Sequence, residues 1–202
     1  MNERRNLFAL IFLFSYIFFS ASFLFKKSVH KTEPDVCVSA EEKKLYHTIN
    51  EYRKTHKLPA IPLSRSLTYV AQQHVHDLAA NHPDKQPCNP HSWSDKGAWK
   101  GCCYTEDHAN ASCMWKKPSE LTSYKSNGYE IACTGAYGSV EILKCWQGSK
   151  GHNSVILNQA SWKKMKWNAI GVGIYKEYAV VWFGDIADPE VKPIICETPK
   201  AE

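Results

Sequence analysis

The stretch Trp146-Gln147-Gly148-Ser149-Lys150-Gly151-His152-Asn153-Ser154-Val155-Ile156-Leu157 decides how the chain is read. A helical run over residues 139–146 stops at Gly148, and Gly151 releases the chain to present His152 at the start of a new turn over 153–157. A histidine held between two helices can meet polar groups from distant parts of the chain. Two stand out: His91 in His91-Ser92-Trp93-Ser94 and Glu130 in Gly128-Tyr129-Glu130-Ile131-Ala132. The reading is a cleft built from His91, Glu130 and His152; the alternative is that His152 only caps or packs its junction.

Outward from that stretch, Tyr129-Glu130-Ile131-Ala132-Cys133 reads as a short strand, and Ser139 as the cap of the helix that follows. Residues 169–175 and 178–183 read as two strands, with only Lys176-Glu177 between them to make a hairpin. Gly171 and Gly173 share one strand face and leave room there for another element to approach. Toward the N-terminus, Ser39-Ala40-Glu41-Glu42 has the form of a capping box. Leu45, Ile49 and Tyr52 give that helix its apolar face until Leu58-Pro59, with Asn50 and Arg53 on its polar face, for which simple solvation is one reading.

Ser64 or Ser66 caps a second helix, whose stripe of Leu67, Val70, Ala71, His74, Val75 and Leu78 ends at Asn81-His82-Pro83. His74 reads there as a satisfied core histidine. Residues 83–124 lose period and hold four cysteines and three tryptophans. They read as a long loop, pinned by disulfides, that walls one side of the cleft, with Pro118 opening a short turn. Helices early, strands late and a helix between them give an α+β domain with helices covering a small sheet.

A length of 202 residues with 44% hydrophobic and 22% charged composition suits one domain with a core. Its first 27 residues stand apart. After Arg4 and Arg5, residues 7–25 are uncharged and almost wholly apolar, about the ~20 residues a bilayer-spanning helix needs. They read as an uncleaved anchor, with cleavage near Ser20-Ala21-Ser22 as the alternative that would make the protein secreted.

Residues 28–38 are a tether, 39–188 the domain and 189–202 a tail tied down at most by Cys196. All eight cysteines follow the apolar run, an even count that reads as disulfides in an oxidising, extracytoplasmic compartment. Connectivity is open, although a Cys37–Cys196 pair would join the two ends of the domain. A cysteine-bound zinc is the weaker reading, since no Cys-x2-Cys pair is present. Asn110-Ala111-Ser112 fits a glycosylation acceptor. Arg4, Arg5, Lys26 and Lys27 against Glu3 account for three of the net charges of +5, and the +2 that remains gives no nucleic-acid footprint.

Several of these segments together resemble the cysteine-rich secretory, antigen 5 and pathogenesis-related superfamily, the CAP domain. Ile49-Asn50-Glu51-Tyr52-Arg53, Leu58-Pro59 and Leu63-Ser64 ahead of Leu67, Val70-Ala71 and His74 look like its opening motif. Trp146 through Gly151-His152, and Ile170-Gly171-Val172-Gly173, look like its late part. The resemblance covers residues 41–185. It implies a three-layer α-β-α sandwich and a cleft of two histidines and two acids. His91 and His152 match the histidines and Glu130 the first acid, while Ser149 stands where the second acid is expected, as in the shorter, bacterial-type branch. Glu141 is no replacement, because a place in the first turn of its helix is explained by the helix dipole.

Two functions follow as expectations. One is an extracytoplasmic binding module whose cleft of His91, Glu130, His152 and Ser149 holds a lipid, sterol, glycan or peptide; members of the family are associated with lipid binding. The other is a zinc-dependent hydrolase in which His91, His152 and Glu130 hold the metal. For zinc, Glu130 is either a third ligand or a hydrogen-bond partner that orients one imidazole.

Overall fold

Cys37–Val38 forms a two-residue strand, β1, and Ser39 then starts helix α1 (Ala40–Thr55) with the reciprocal capping its sequence implies. The Ser39 hydroxyl accepts the Glu42 N–H at 3.2 Å, and the Glu42 carboxylate accepts the Ser39 N–H at 2.8 Å. Leu45 and Ile49 face inward and are fully buried. The polar face that carries Asn50 and Arg53 is not solvated: the two are buried at 8% and 2% exposure. The extended segment after α1 supplies the reason. Asn50 exchanges hydrogen bonds with the backbone of Ile61 (2.8 and 3.2 Å). Arg53 donates to the carbonyls of Pro59 and Ile156 and to the Asn158 side chain, so each buried donor has a partner.

The computed structural model describes residues 36–190 and 192–196. The chain divides into two units, Met1–His30 and Lys31–Glu202. The expected export segment, residues 1–27, lies outside the described residues, and so does most of the tether. No helix among the described residues is long and apolar enough to cross a membrane.

Ser64, rather than Ser66, caps helix α2 (Arg65–Asn81), its hydroxyl accepting the Leu67 N–H at 3.0 Å. Asp188 reinforces that end from far along the chain. Its carboxylate accepts the Ser64 hydroxyl (2.5 Å), the Ser66 hydroxyl (2.8 Å) and the Ser66 N–H (2.8 Å). The segment 83–124 is not all loop. It contains two short helices, α3 (Ala111–Trp115), which the sequence reading missed, and α4 (Lys117–Leu121), which holds the turn expected at Pro118. Disulfides Cys88–Cys103 and Cys102–Cys113 pin its first half.

Strands β2 (Gly128–Thr134), β3 (Ala169–Tyr175) and β4 (Tyr178–Gly184) form an antiparallel sheet in the order β2-β4-β3, and Lys176-Glu177 makes the β3–β4 hairpin. Between β2 and β3 run helices α5 (Ser139–Gly148) and α6 (Lys150–Ile156). Ser139 is the first residue of α5, not its cap. That position belongs to Gly138 at φ 77°, with no side-chain cap, because only the glycine tolerates the left-handed entry.

Alternation along the strands sends Ile131, Val172, Val181 and Phe183 to one face, against Leu45 and Ile49 of α1, Ile142 and Trp146 of α5 and Ile156 of α6. Ala132, Ala169, Val180 and Trp182 face the other way, against Leu67, Val70, Val75 and Leu78 of α2. The sheet therefore lies between two helical layers, an α+β fold arranged as a three-layer α-β-α sandwich. Gly171 and Gly173 make the α2 contact possible. A Cβ on Gly171 would sit 2.0 Å from the carbonyl carbon of Leu67, and one on Gly173 2.5 Å from that of Ala71.

The tail is held by more than a cysteine. Besides Asp188, Ile194–Ile195 forms β5, parallel to β1, and Cys196 pairs with Cys37. Cys133–Cys145 completes four disulfides, with no free cysteine.

Candidate functional site

Glu130 lies in β2 on the face turned toward α2, and only 5% of it is exposed. Each of its carboxylate oxygens meets an imidazole. His74 of α2 donates from Nδ1 at 2.5 Å, and His91 of the 83–124 segment donates from Nδ1 at 2.9 Å. His74 is fully buried, stacked at 4.1 Å on Trp93, and its Nε2 faces the Ser92 carbonyl at 2.8 Å. Both of its nitrogens therefore face acceptors, which fixes the ring between the sheet and the 83–124 segment. Burial alone would push the Glu130 carboxyl up, but the charge and hydrogen bonds of His74 and His91 outweigh it and hold it below the usual carboxylate range.

With its Nδ1 engaged by Glu130, His91 has only Nε2 left to offer the cleft. The His91 ring stands edge-on to that of His152, 5.9 Å between centroids, and 5.2 Å from Tyr104. His152 is the third residue of α6, not the start of a turn. The junction residue is Ser149, which ends α5 and caps α6, its hydroxyl accepting the His152 N–H at 3.4 Å. Burial lowers the pKa of His152, with a further push from His91 and only partial opposition from Glu130, to about 4. The ring is neutral at neutral pH.

The sequence-derived residues His91, Glu130, Ser149 and His152 all line one cleft of about 670 Å³, within the ~300–1,000 Å³ usual for small-molecule sites. Ring contacts divide its walls. Tyr104 joins His91 on one side and His108 on the other, where its hydroxyl meets His108 Nδ1 at 2.9 Å. Tyr129 joins Trp115 (5.8 Å) and Trp162 (4.9 Å), and Met114 and Val155 line the same space.

Among the contributors that sequence reasoning missed are His74 as the partner that holds Glu130, Glu106 on the disulfide-pinned segment, and Trp162. For His74 the signal was present, since a histidine in an apolar helix stripe needs a buried polar partner and Glu130 interrupts an apolar strand. Glu106 and Trp162 carried no periodic signal.

As a metal centre, the set fits two imidazole nitrogens and no more. Glu130 has both oxygens engaged, and among the described residues no three His, Cys, Asp or Glu converge to hold an ion.

No curated protein matches the chain. Among solved structures, it is similar to an extracellular protein containing an SCP domain from Bacillus anthracis, at 17% identity and a TM-score of 0.50 over 71% of this chain and 39% of that one. A cysteine-rich secretory protein from Staphylococcus aureus aligns at 17% identity and 0.48 over 72% and 38%. An outer surface protein from Borrelia burgdorferi aligns at 19% and 0.50 over 72% and 92%. The chain thus spans less than half the length of the first two. The family model described as the cysteine-rich secretory protein family, CAP, matches residues 46–180. With its sandwich, its paired cysteines and this match over most of its length, the chain belongs to the CAP, or cysteine-rich secretory protein, family.

Proposed function

We propose that this protein is an extracytoplasmic binding module whose cleft takes a small amphipathic ligand, a lipid being the leading class. One observation carries the reading: a cleft of about 670 Å³ joins a hydrogen-bonding wall of His91, His152 and Ser149 to an apolar wall of Met114, Trp115, Tyr129 and Trp162. Such a site orients a ligand by its polar end and gains affinity from its apolar body. The location is supported by four disulfides, which persist in oxidising compartments, and by the extracellular and outer-surface descriptions of the Bacillus and Borrelia proteins. N-Phenyl-1-naphthylamine, a neutral fluorescent probe, is expected to bind the wild type and to lose about tenfold in affinity with Trp162→Ala at unchanged circular dichroism. Equal binding by both chains would sink the reading.

The same reading includes weak zinc binding by His91 and His152, water completing the coordination and Glu130 holding His91 in place. Titration calorimetry tests it: uptake by the wild type that His91→Ala and His152→Ala each abolish, with the fold retained, is expected. A hydrolase has no observation in its favour: Glu130 is engaged by two imidazoles, and among the described residues no three His, Cys, Asp or Glu are placed to hold an ion.

A further inference from the structure

The cleft's charge is unlike that of the chain around it. The whole protein carries +5, yet the residues lining the cleft include two carboxylates, Glu106 and Glu130, and no lysine or arginine. The two acids are not equivalent. Glu130 is buried and has both oxygens engaged by His74 and His91. Glu106 is exposed on the disulfide-pinned segment, and among the described residues no hydrogen bond or ion pair engages it. Its neighbour Asp107 is occupied by the Thr105 hydroxyl and the Ala109 N–H, so the free negative charge on this wall belongs to Glu106. Its field reaches the Tyr104 hydroxyl, whose pKa is raised first by burial and then by Glu130 and Glu106.

We propose that the cleft selects amphiphiles with a cationic head, an alkylammonium or quaternary ammonium group, which Glu106 and the cleft aromatics read together. This rests on the binding-module reading and adds the sign of the ligand. The groups presented inward are matched to a cation. Glu106 offers a full negative charge, with no lysine or arginine in the lining to neutralise it. The rings of Tyr104, Trp115, Tyr129 and Trp162 offer π-faces, which attract ammonium and quaternary ammonium groups. Met114 and Val155 supply apolar surface for the hydrocarbon. A carboxylate or phosphate head would instead face Glu106 with no fixed cation in the lining to offset it, which is how a site rejects the wrong charge.

Three probes with one chain length test this by calorimetry on the full chain, below their micelle concentrations, at neutral pH and low salt: dodecyltrimethylammonium, dodecyl maltoside and laurate. Trp162→Ala separates binding in the cleft from binding elsewhere. The expected result is Trp162-dependent binding in which the ammonium is tightest and laurate weakest. Glu106→Gln, at an exposed position outside the core, should weaken the ammonium about fivefold and leave the maltoside unchanged. If laurate binds as tightly as the ammonium, or if Glu106→Gln leaves the order unaltered, the charge inference falls while the cleft reading stands on the maltoside. If none of the three binds in a Trp162-dependent way, both fall together.

Discussion

His152 shows how one residue's surroundings become a property of the whole fold. Burial and the nearby His91 hold its folded pKa at about 4, against an ordinary ~6.5. Between those values the unfolded chain binds a proton that the folded chain does not, so stability rises with pH across the window and falls as the solution is acidified through it. The contribution is roughly 3 kcal/mol. A urea midpoint that drops from pH 6.5 to pH 4, with a shallower slope in His152→Gln, is the expected outcome; the same slope in both proteins would contradict it. At this scale the sequence was legible where chemistry sits on a motif: His91, Glu130 and His152 do line one cleft. It was not legible where a role depends on a partner far along the chain. His74 and Glu130 lie 56 residues apart, and only the seating of α2 on the sheet joins them. Asn50 and Arg53 failed for the same reason, because what buries them is backbone from residues 59–61 and 156, invisible to a helical period.

Elements were legible wherever periodicity ran long. α1, α2 and the β3–β4 hairpin follow from spacing and capping, since a dozen or more patterned residues outweigh local exceptions. α3 did not, because five residues give no period to read. The glycines of β3 carried more than an element boundary. With Leu67 and Ala71 one turn apart on α2, Gly171 and Gly173 form two points at which helix backbone lies on strand backbone. Gly171→Ala is therefore expected to force α2 off the sheet rather than add a methyl to the core. Overpacking costs about 1–3 kcal/mol where neighbours can give, and here the neighbour is backbone. Loss of several kcal/mol in chemical denaturation, or failure to accumulate as folded protein, is the expected result. Ser66→Ala, which removes one of several bonds to Asp188, should by comparison cost about 1 kcal/mol.

At the scale of the molecule, the pairing of Cys37 with Cys196 closes a loop of sequence separation 159, alongside the parallel β1–β5 pair. In the chain-entropy account such a closure contributes roughly 5 kcal/mol, less any strain it introduces. Cys37→Ser with Cys196→Ser is expected to lower the unfolding midpoint without changing the sheet, and a thiol assay on the denatured, unreduced wild type should find no free thiols. The sequence made this closure readable only as one pairing among many; what identifies it is the bond itself, with the two Cα atoms 4.9 Å apart beside the β1–β5 pair. The same closure decides where mechanical load goes. Tension applied between whatever precedes Cys37 and whatever follows Cys196 enters and leaves through two residues that share a covalent bond. The sheet, the helices and the cleft between them are bypassed. A pull that would unzip an open sandwich leaves this one unstretched, and the ligand site keeps its shape while the protein is under tension.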